Sequence, residues 1–140
     1  MDKKVVEKLK KAFEKGDIPG VRAAFAAGAP FSRAFLSTAI TPLGGNALHM
    51  AAYLGMVDVV QFLIEKGADL DAKNNEGATA LVMAAGQNEF SGSVPCVKLL
   101  LERGADPNVE SNKGMTALLW AVHKGLAAEG VKLLLEHGAN

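Results

Sequence analysis

Residues 45–73 read GNALHMAAYLGMVDVVQFLIEKGADLDAK, and the same phrase returns twice. GATALVMAAGQ starts at Gly77 and resumes as VPCVKLLLERGADPN from Val94. GMTALLWAVHKG starts at Gly114 and resumes as GVKLLLEHGAN from Gly130. Leu48 and Leu81 stand 33 residues apart. At that period a turn and two helices form a unit that buries its apolar faces only by stacking on neighbours. Such a chain is a quasi-one-dimensional scaffold displaying an extended surface. The echo predicts an all-α solenoid, built for recognition rather than around a catalytic cleft.

Each unit opens on Gly-x-(Thr/Asn)-Ala-Leu, with Asn46, Thr79 and Thr116 where a helix N-cap belongs. A side-chain oxygen there can accept from an orphan amide of the first turn. The first helix is small-sided (Ala51-Ala52, Ala84-Ala85, Ala121-Val122), so neighbours can approach closely. The second is apolar almost throughout: Val59, Val60, Phe62, Leu63 and Ile64, then Val97 and Leu99 to Leu101, then Val131 and Leu133 to Leu135. That pattern predicts burial on two faces, between adjacent units. Gly28, Gly67, Gly104 and Gly138 follow the second helices, where a left-handed residue ends a helix. Gly16, Gly55 and Gly125 separate the paired helices, and polar runs such as Lys73-Asn74-Asn75-Glu76-Gly77 predict exposed hairpin fingers.

Composition narrows the function classes. A chain of 140 residues is expected to form one domain. Lys+Arg and Asp+Glu number 15 each, so no global charge points to nucleic acid or a membrane surface. The single Cys96 excludes an intramolecular disulfide and fits a reducing compartment. No run approaches the roughly 18 apolar residues of a membrane span. The N-terminus is charged where a signal peptide carries an apolar core. An intracellular, cytoplasmic location is expected.

The pattern G-x-T-A-L-x-x-A-A…G…V-V-x-x-L-(L/I)-E-x-G-A-D resembles the ankyrin repeat, whose usual signature reads T-P-L-H-x-A-A. It covers residues 44–140 strongly and 2–29 in degenerate form. The resemblance implies an ankyrin-repeat solenoid of about four helix-turn-helix units with short β-hairpin fingers. The expected organisation is one domain over 1–140: a capping unit at 1–30, an enlarged finger at 31–43, and a repeat at 44–76. A repeat at 77–113 with an inserted loop near 86–94 follows, then an uncapped repeat at 114–140. Ala47, Ala80 and Ala117 replace the family's proline, giving up a preset first-turn φ but keeping a good helix former. Only His49 keeps the motif histidine; Val82 and Leu119 replace it, so part of the usual hydrogen bonding between units is expected to be missing.

The two ends differ. Val5, Leu9, Ala12 and Phe13 form one stripe of the first helix, and Lys3, Lys4, Lys8, Lys11 and Lys15 lie elsewhere. This reads as a polar end cap, which solenoids require, in preference to a membrane- or calmodulin-binding helix. At the other end, Gly138-Ala139-Asn140 follows an apolar helix directly, so Leu133 to Leu135 are expected to be partly exposed. That stop reads as a boundary imposed on a longer chain, with a natural fragment or self-association through the uncapped end as alternatives. The insertions at 31–41 and 86–94 fall in loops, which are as often functional as neutral.

No Walker loop, GxSxG, HExxH or paired-cysteine spacing is present, so no cofactor, metal or catalytic residue is expected. Cys96 aligns with Val59 and reads as a buried, inert thiol. Glu89, Ser91 and Ser93 lie in the inserted loop without an evident base to activate them. His49 reads as structural, and His137 suits the negative end of a helix. In the ankyrin family partners are commonly bound on the concave face, made from finger tips and two positions of each first helix. Carried over, the helix positions are Met50 and Tyr53, Met83 and Gly86, Trp120 and His123. The finger residues are Asn75, Glu76 and Ala78, then Asn112, Lys113 and Met115. Methionine and aromatic side chains recur at interfaces, and the core role already belongs to Leu, Val and Ala. The expected function is therefore a non-enzymatic protein–protein interaction module binding another protein on this face. The rival reading is an engineered or adapted ankyrin scaffold carrying a small-molecule pocket or hydrolase-type site near His123.

Overall fold

A computed structural model of the chain describes residues 3–15, 17–26, 44–86, 93–126 and 128–140. The enlarged finger at 31–43, most of the 86–94 insertion with Glu89 and Ser91, and Gly16 and Gly28 lie outside the described residues. Among the described residues the helices are α1 (Lys3–Glu14), α2 (Ile18–Ala26), α3 (Ala47–Tyr53), α4 (Val57–Glu65), α5 (Ala80–Ala85), α6 (Ser93–Glu102), α7 (Ala117–Lys124) and α8 (Ala128–Glu136). They pack as four pairs: α1 with α2, α3 with α4, α5 with α6, and α7 with α8. First helices stack as α3 on α5 on α7, and second helices as α4 on α6 on α8.

Local chemistry sets where each helix starts and stops. Asn46 accepts from the amide of His49 (3.1 Å), Thr79 from that of Val82 (3.3 Å) and Thr116 from that of Leu119 (3.3 Å). These three first helices start as their sequence predicts. The second helices of the last three units all end in one way. Gly67, Gly104 and Gly138 have φ of 95, 97 and 92°. The amides of Ala68, Ala105 and Ala139 then return to the carbonyls of Leu63, Leu100 and Leu134, each at 3.0 Å. That is the Schellman closure, and only glycine adopts its left-handed residue without steric cost.

The core runs along the stack between the two rows. Leu9, Phe13 and Val21 close the first pair, and Leu48, Val60, Leu63, Leu81, Val97, Leu100 and Leu134 continue it. Burying each such side chain stabilises the fold by about 1.5–3 kcal/mol before conformational entropy is counted. The alanines of the first helices, Ala51, Ala52, Ala84, Ala85 and Ala121, are wholly buried, as close packing between units requires. The lysines of α1 face solvent, apart from the half-buried Lys10.

The fingers differ from expectation in one respect: among the described residues they are hydrogen-bonded turns and contain no β-strand. Asn74 donates its backbone amide to Ala78 O (3.0 Å), but the amide of Ala78 goes to the Asn74 side chain (3.0 Å). The Asn74 carbonyl instead accepts from Gly77 (3.0 Å). Ser111 repeats the scheme, accepting from Met115 through its hydroxyl (3.3 Å) and from Gly114 through its carbonyl (2.9 Å). A side chain thus takes the amide that a second strand would have paired, and the ladder stops after one rung.

Candidate functional site

Successive fingers are locked to one another before any site is formed. Asn112 donates its backbone amide to Glu76 O (2.8 Å) and its carboxamide to Asn75 O (3.0 Å). Gly77, at φ 76°, lies directly beneath: a methyl added there would stand 2.6 Å from the Asn112 side-chain oxygen. Gly44 stands in the same relation to Asn75. The two asparagines predicted as binding residues therefore also fasten finger to finger.

His49 ties the first of these fingers to its helix. Its Nδ1 accepts from the Asn46 amide (3.0 Å), so the ring hydrogen is on Nε2. Nε2–H is shared between the carbonyls of Ala72 (2.8 Å) and Ala78 (3.0 Å). Burial lowers the imidazole pKa, against a smaller opposing pull from those carbonyls. The ring is held neutral, as its acceptor role at Nδ1 demands. At the same register Val82 is buried and Leu119 exposed, so this tie exists once among the three units.

Between the fingers and the first helices lies a groove of about 510 Å³. Tyr53 of α3, Val82, Met83 and Gly86 of the α5 region, and Trp120 and Lys124 of α7 form its wall. Asn75, Glu76 and Ala78 of one finger and Ser111, Asn112 and Lys113 of the next form its rim. A methyl at Gly86 would stand 3.7 Å from Trp120 Cγ, an ordinary van der Waals distance, which places the indole directly beside the end of α5. Lys124 places its ammonium 5.5 Å from the centre of the Trp120 rings. His123 meets the same indole edge-on at 5.8 Å from outside the groove lining. The hollow has an apolar floor, two ammonium groups and one carboxylate, and a volume in the range of ligand and peptide sites.

A model of the family described as Ankyrin repeats (3 copies) matches residues 9–111 and 48–140. The chain belongs to the ankyrin repeat family. No curated protein matches it. Ankyrin repeats are in general protein–protein interaction modules, and the groove lies on the face formed by their fingers and first helices.

Of the expected binding residues, Tyr53, Asn75, Glu76, Met83, Asn112, Lys113 and Trp120 line this ankyrin groove. Met50, Met115 and His123 lie outside its lining; Met50 is half-buried and packs against the core. Val82, Ser111 and Lys124 line it without having been singled out. Lys124 follows Trp120 by one helical turn, and that spacing alone could have found it. Cys96 is fully buried, and burial, helped by the Asp58 charge, pushes its thiol up to about 12, in line with an inert role. His137 sits at the end of α8, where its Nδ1–H donates to Leu133 O (2.8 Å). Among the described residues no helix is long and apolar enough to cross a membrane, and no cluster of metal-ligating side chains occurs.

Proposed function

We propose that this protein holds a segment of a partner protein in the groove over α3, α5 and α7. One arrangement supports the reading above the others: Tyr53, Met83 and Trp120, from three successive first helices, line a single hollow. The fully buried core is built mostly of Leu, Val and Ala, and these three side chains keep part of their surface towards the groove. Rigid aromatic groups offer large contact area at little entropic cost, which is why they dominate interface energetics. Gly86 makes the notch in which a partner's apolar side chain can lie against the indole. Lys113 and Lys124 then set its register through carboxylates, with Glu76 repelling the wrong sign. Binding requires no chemistry and no cofactor on this reading.

The test is comparative capture with wild type, Trp120→Ala and, as a control on the far side of the stack, Gln61→Ala. A partner should be retained by wild type and Gln61→Ala and depleted about tenfold or more by Trp120→Ala, the loss of one interface anchor. Trp120 is the sole tryptophan, so its emission should shift when that partner is added. Equal retention by all three proteins would sink the proposal. So would a collapse in the melting temperature of Trp120→Ala, which would place the indole in the core.

A further inference from the structure

The groove over α3, α5 and α7 is walled by three successive units, and its charges are unevenly placed. The two fingers of its rim are copies in one register: Asn75, Glu76 and Gly77 recur as Asn112, Lys113 and Gly114. Glu76 and Lys113 are thus the same position with opposite signs. Both residues are exposed, and among the described residues neither takes part in an ion pair. The backbone beneath them is pinned. Glu76 donates its amide to Asn74 Oδ1 (2.9 Å) and accepts at its carbonyl from Asn112 (2.8 Å). The Asn112 carboxamide reaches Asn75 O (3.0 Å). On the wall, Lys124 sets a second ammonium 5.5 Å from the centre of the Trp120 rings. Among the described lining residues, one carboxylate therefore stands on the finger leading into α5, and two ammonium groups stand on the finger and helix of the next unit.

We propose that the segment held there is an acidic peptide of fixed polarity: an apolar side chain on Trp120, carboxylates on the flank facing Lys113 and Lys124, and none on the flank facing Glu76. This inference rests on the groove reading and adds to it the partner's charge and direction. Two cations against one anion leave the α7 half of the groove short of negative charge, and Asp or Glu side chains supply it. Lys124 lies beside the indole, so a carboxylate meeting it stands close to an apolar group seated on Trp120. Neighbours on one face of a helical segment, about 5–6 Å apart, have that spacing. Covering the indole also removes water from around the pair and strengthens it. The pinned fingers hold Glu76 and Lys113 in place before binding, so little backbone order has to be created. A basic segment would meet its own sign at two of the three charged positions, and a segment acidic throughout would meet it at Glu76.

Selection from a random peptide library displayed on phage, run in parallel on wild type and Trp120→Ala, tests the two levels separately. Peptides enriched by wild type and not by Trp120→Ala report the groove, and they should carry an apolar residue with Asp or Glu on one flank. The tightest of them, synthesised and titrated by tryptophan fluorescence, should bind Lys113→Glu and Lys124→Glu about tenfold or more weakly than wild type. Lys132→Glu changes the net charge equally at an exposed lysine of α8 outside the groove, and should bind as wild type does. Adding a carboxylate to the second flank of the peptide should weaken its binding to wild type but not to Glu76→Lys. Groove-dependent peptides without carboxylates overturn this proposal and leave the groove reading standing. So do acidic peptides that both lysine reversals leave unaffected. No enrichment over Trp120→Ala overturns the two together.

Discussion

His49, Val82 and Leu119 occupy one register in three successive units, three residues into a helix begun by Asn46, Thr79 and Thr116. Their surroundings differ completely. His49 is enclosed and makes three hydrogen bonds to backbone, one from Asn46 and two to the finger that follows. Val82 is enclosed and apolar, and half the exposed surface of Leu119 remains. The helices start identically, so what varies is what lies next in the stack. A unit supplies half of each interface, and its neighbour determines whether the same position is polar tie, core or free surface.

The largest effect should come from adjacent residues of one helix. Leu134 is fully buried and Leu135 is half exposed. Leu134→Ala should cost about 3 kcal/mol in urea unfolding, from lost transfer energy and a cavity among α6, α7 and α8. Leu135→Ala should cost about 0.5 kcal/mol or less. Equal losses would mean that Leu135 is enclosed as fully as Leu134.

The second test turns His49 into its own counterpart. His49→Val leaves the Asn46 amide and the Ala72 carbonyl without their partner, while Ala78 O keeps the Asn74 amide, and should cost about 2 kcal/mol near pH 7.5. The effect should depend on pH with a definite sign. Because the folded-state pKa lies below the ordinary value, the unfolded chain binds the proton first, and stability is lost as pH falls below about 6.5. The slope is at most about 1.4 kcal/mol per pH unit. His49→Val should lack this component, so the gap between the two proteins narrows towards pH 5. A gap that widens on acidification would mean that the folded protein favours a protonated His49, against the acceptor role of its Nδ1.

What could be read from the chain, and what could not, follows the same division. The caps, the left-handed glycines and the buried second helices are local or periodic, so Thr79, Gly104 and Leu100 announce their roles in the sequence. The groove was partly legible for the same reason: Tyr53 and Trp120 sit at variable positions of a repeating helix. Contacts that skip between units carry no local mark. Nothing around Asn112 says that its carboxamide reaches Asn75, and nothing around Gly86 says that an indole lies against it. The apolar end was anticipated at Leu133 to Leu135, yet Leu134 is buried, and the exposed partners of Leu135 are Leu119 and Val122 on the other helix. Only the unit-to-unit register reveals them.

Caps offer a gentler version of the contrast. Thr79 lies within the stack and is buried, whereas Thr116 is partly open to water. Thr79→Ala should cost about 1–2 kcal/mol, because the Val82 amide then has no replacement partner. Thr116→Ala should cost about half as much, since water can reach the Leu119 amide. Chemical denaturation of the two variants under identical conditions checks the ranking, and a reversed order would contradict the view that the neighbouring unit sets the price of a lost cap.

The smallest effect belongs to the junction with the polar end cap. Arg22 of α2 grips Asp58 of α4 through two hydrogen bonds, at 2.8 and 3.0 Å, which hold the Asp58 carboxyl below its usual range. Both side chains are more than half exposed, so water and salt screen the pair. Beside it, Phe25 and Phe62 meet edge-on at 5.9 Å in a contact that salt does not screen. Asp58→Asn should therefore lower the melting temperature only slightly, and the difference should vanish at high ionic strength. It should also disappear as pH falls below about 4, because a carboxylate with a depressed pKa contributes stability only while it is ionised. Phe25→Ala should show a larger loss that neither salt nor acid removes. If Asp58→Asn proved the more damaging of the two, the cap would be held electrostatically, and the junction would differ in kind from every other interface of the stack.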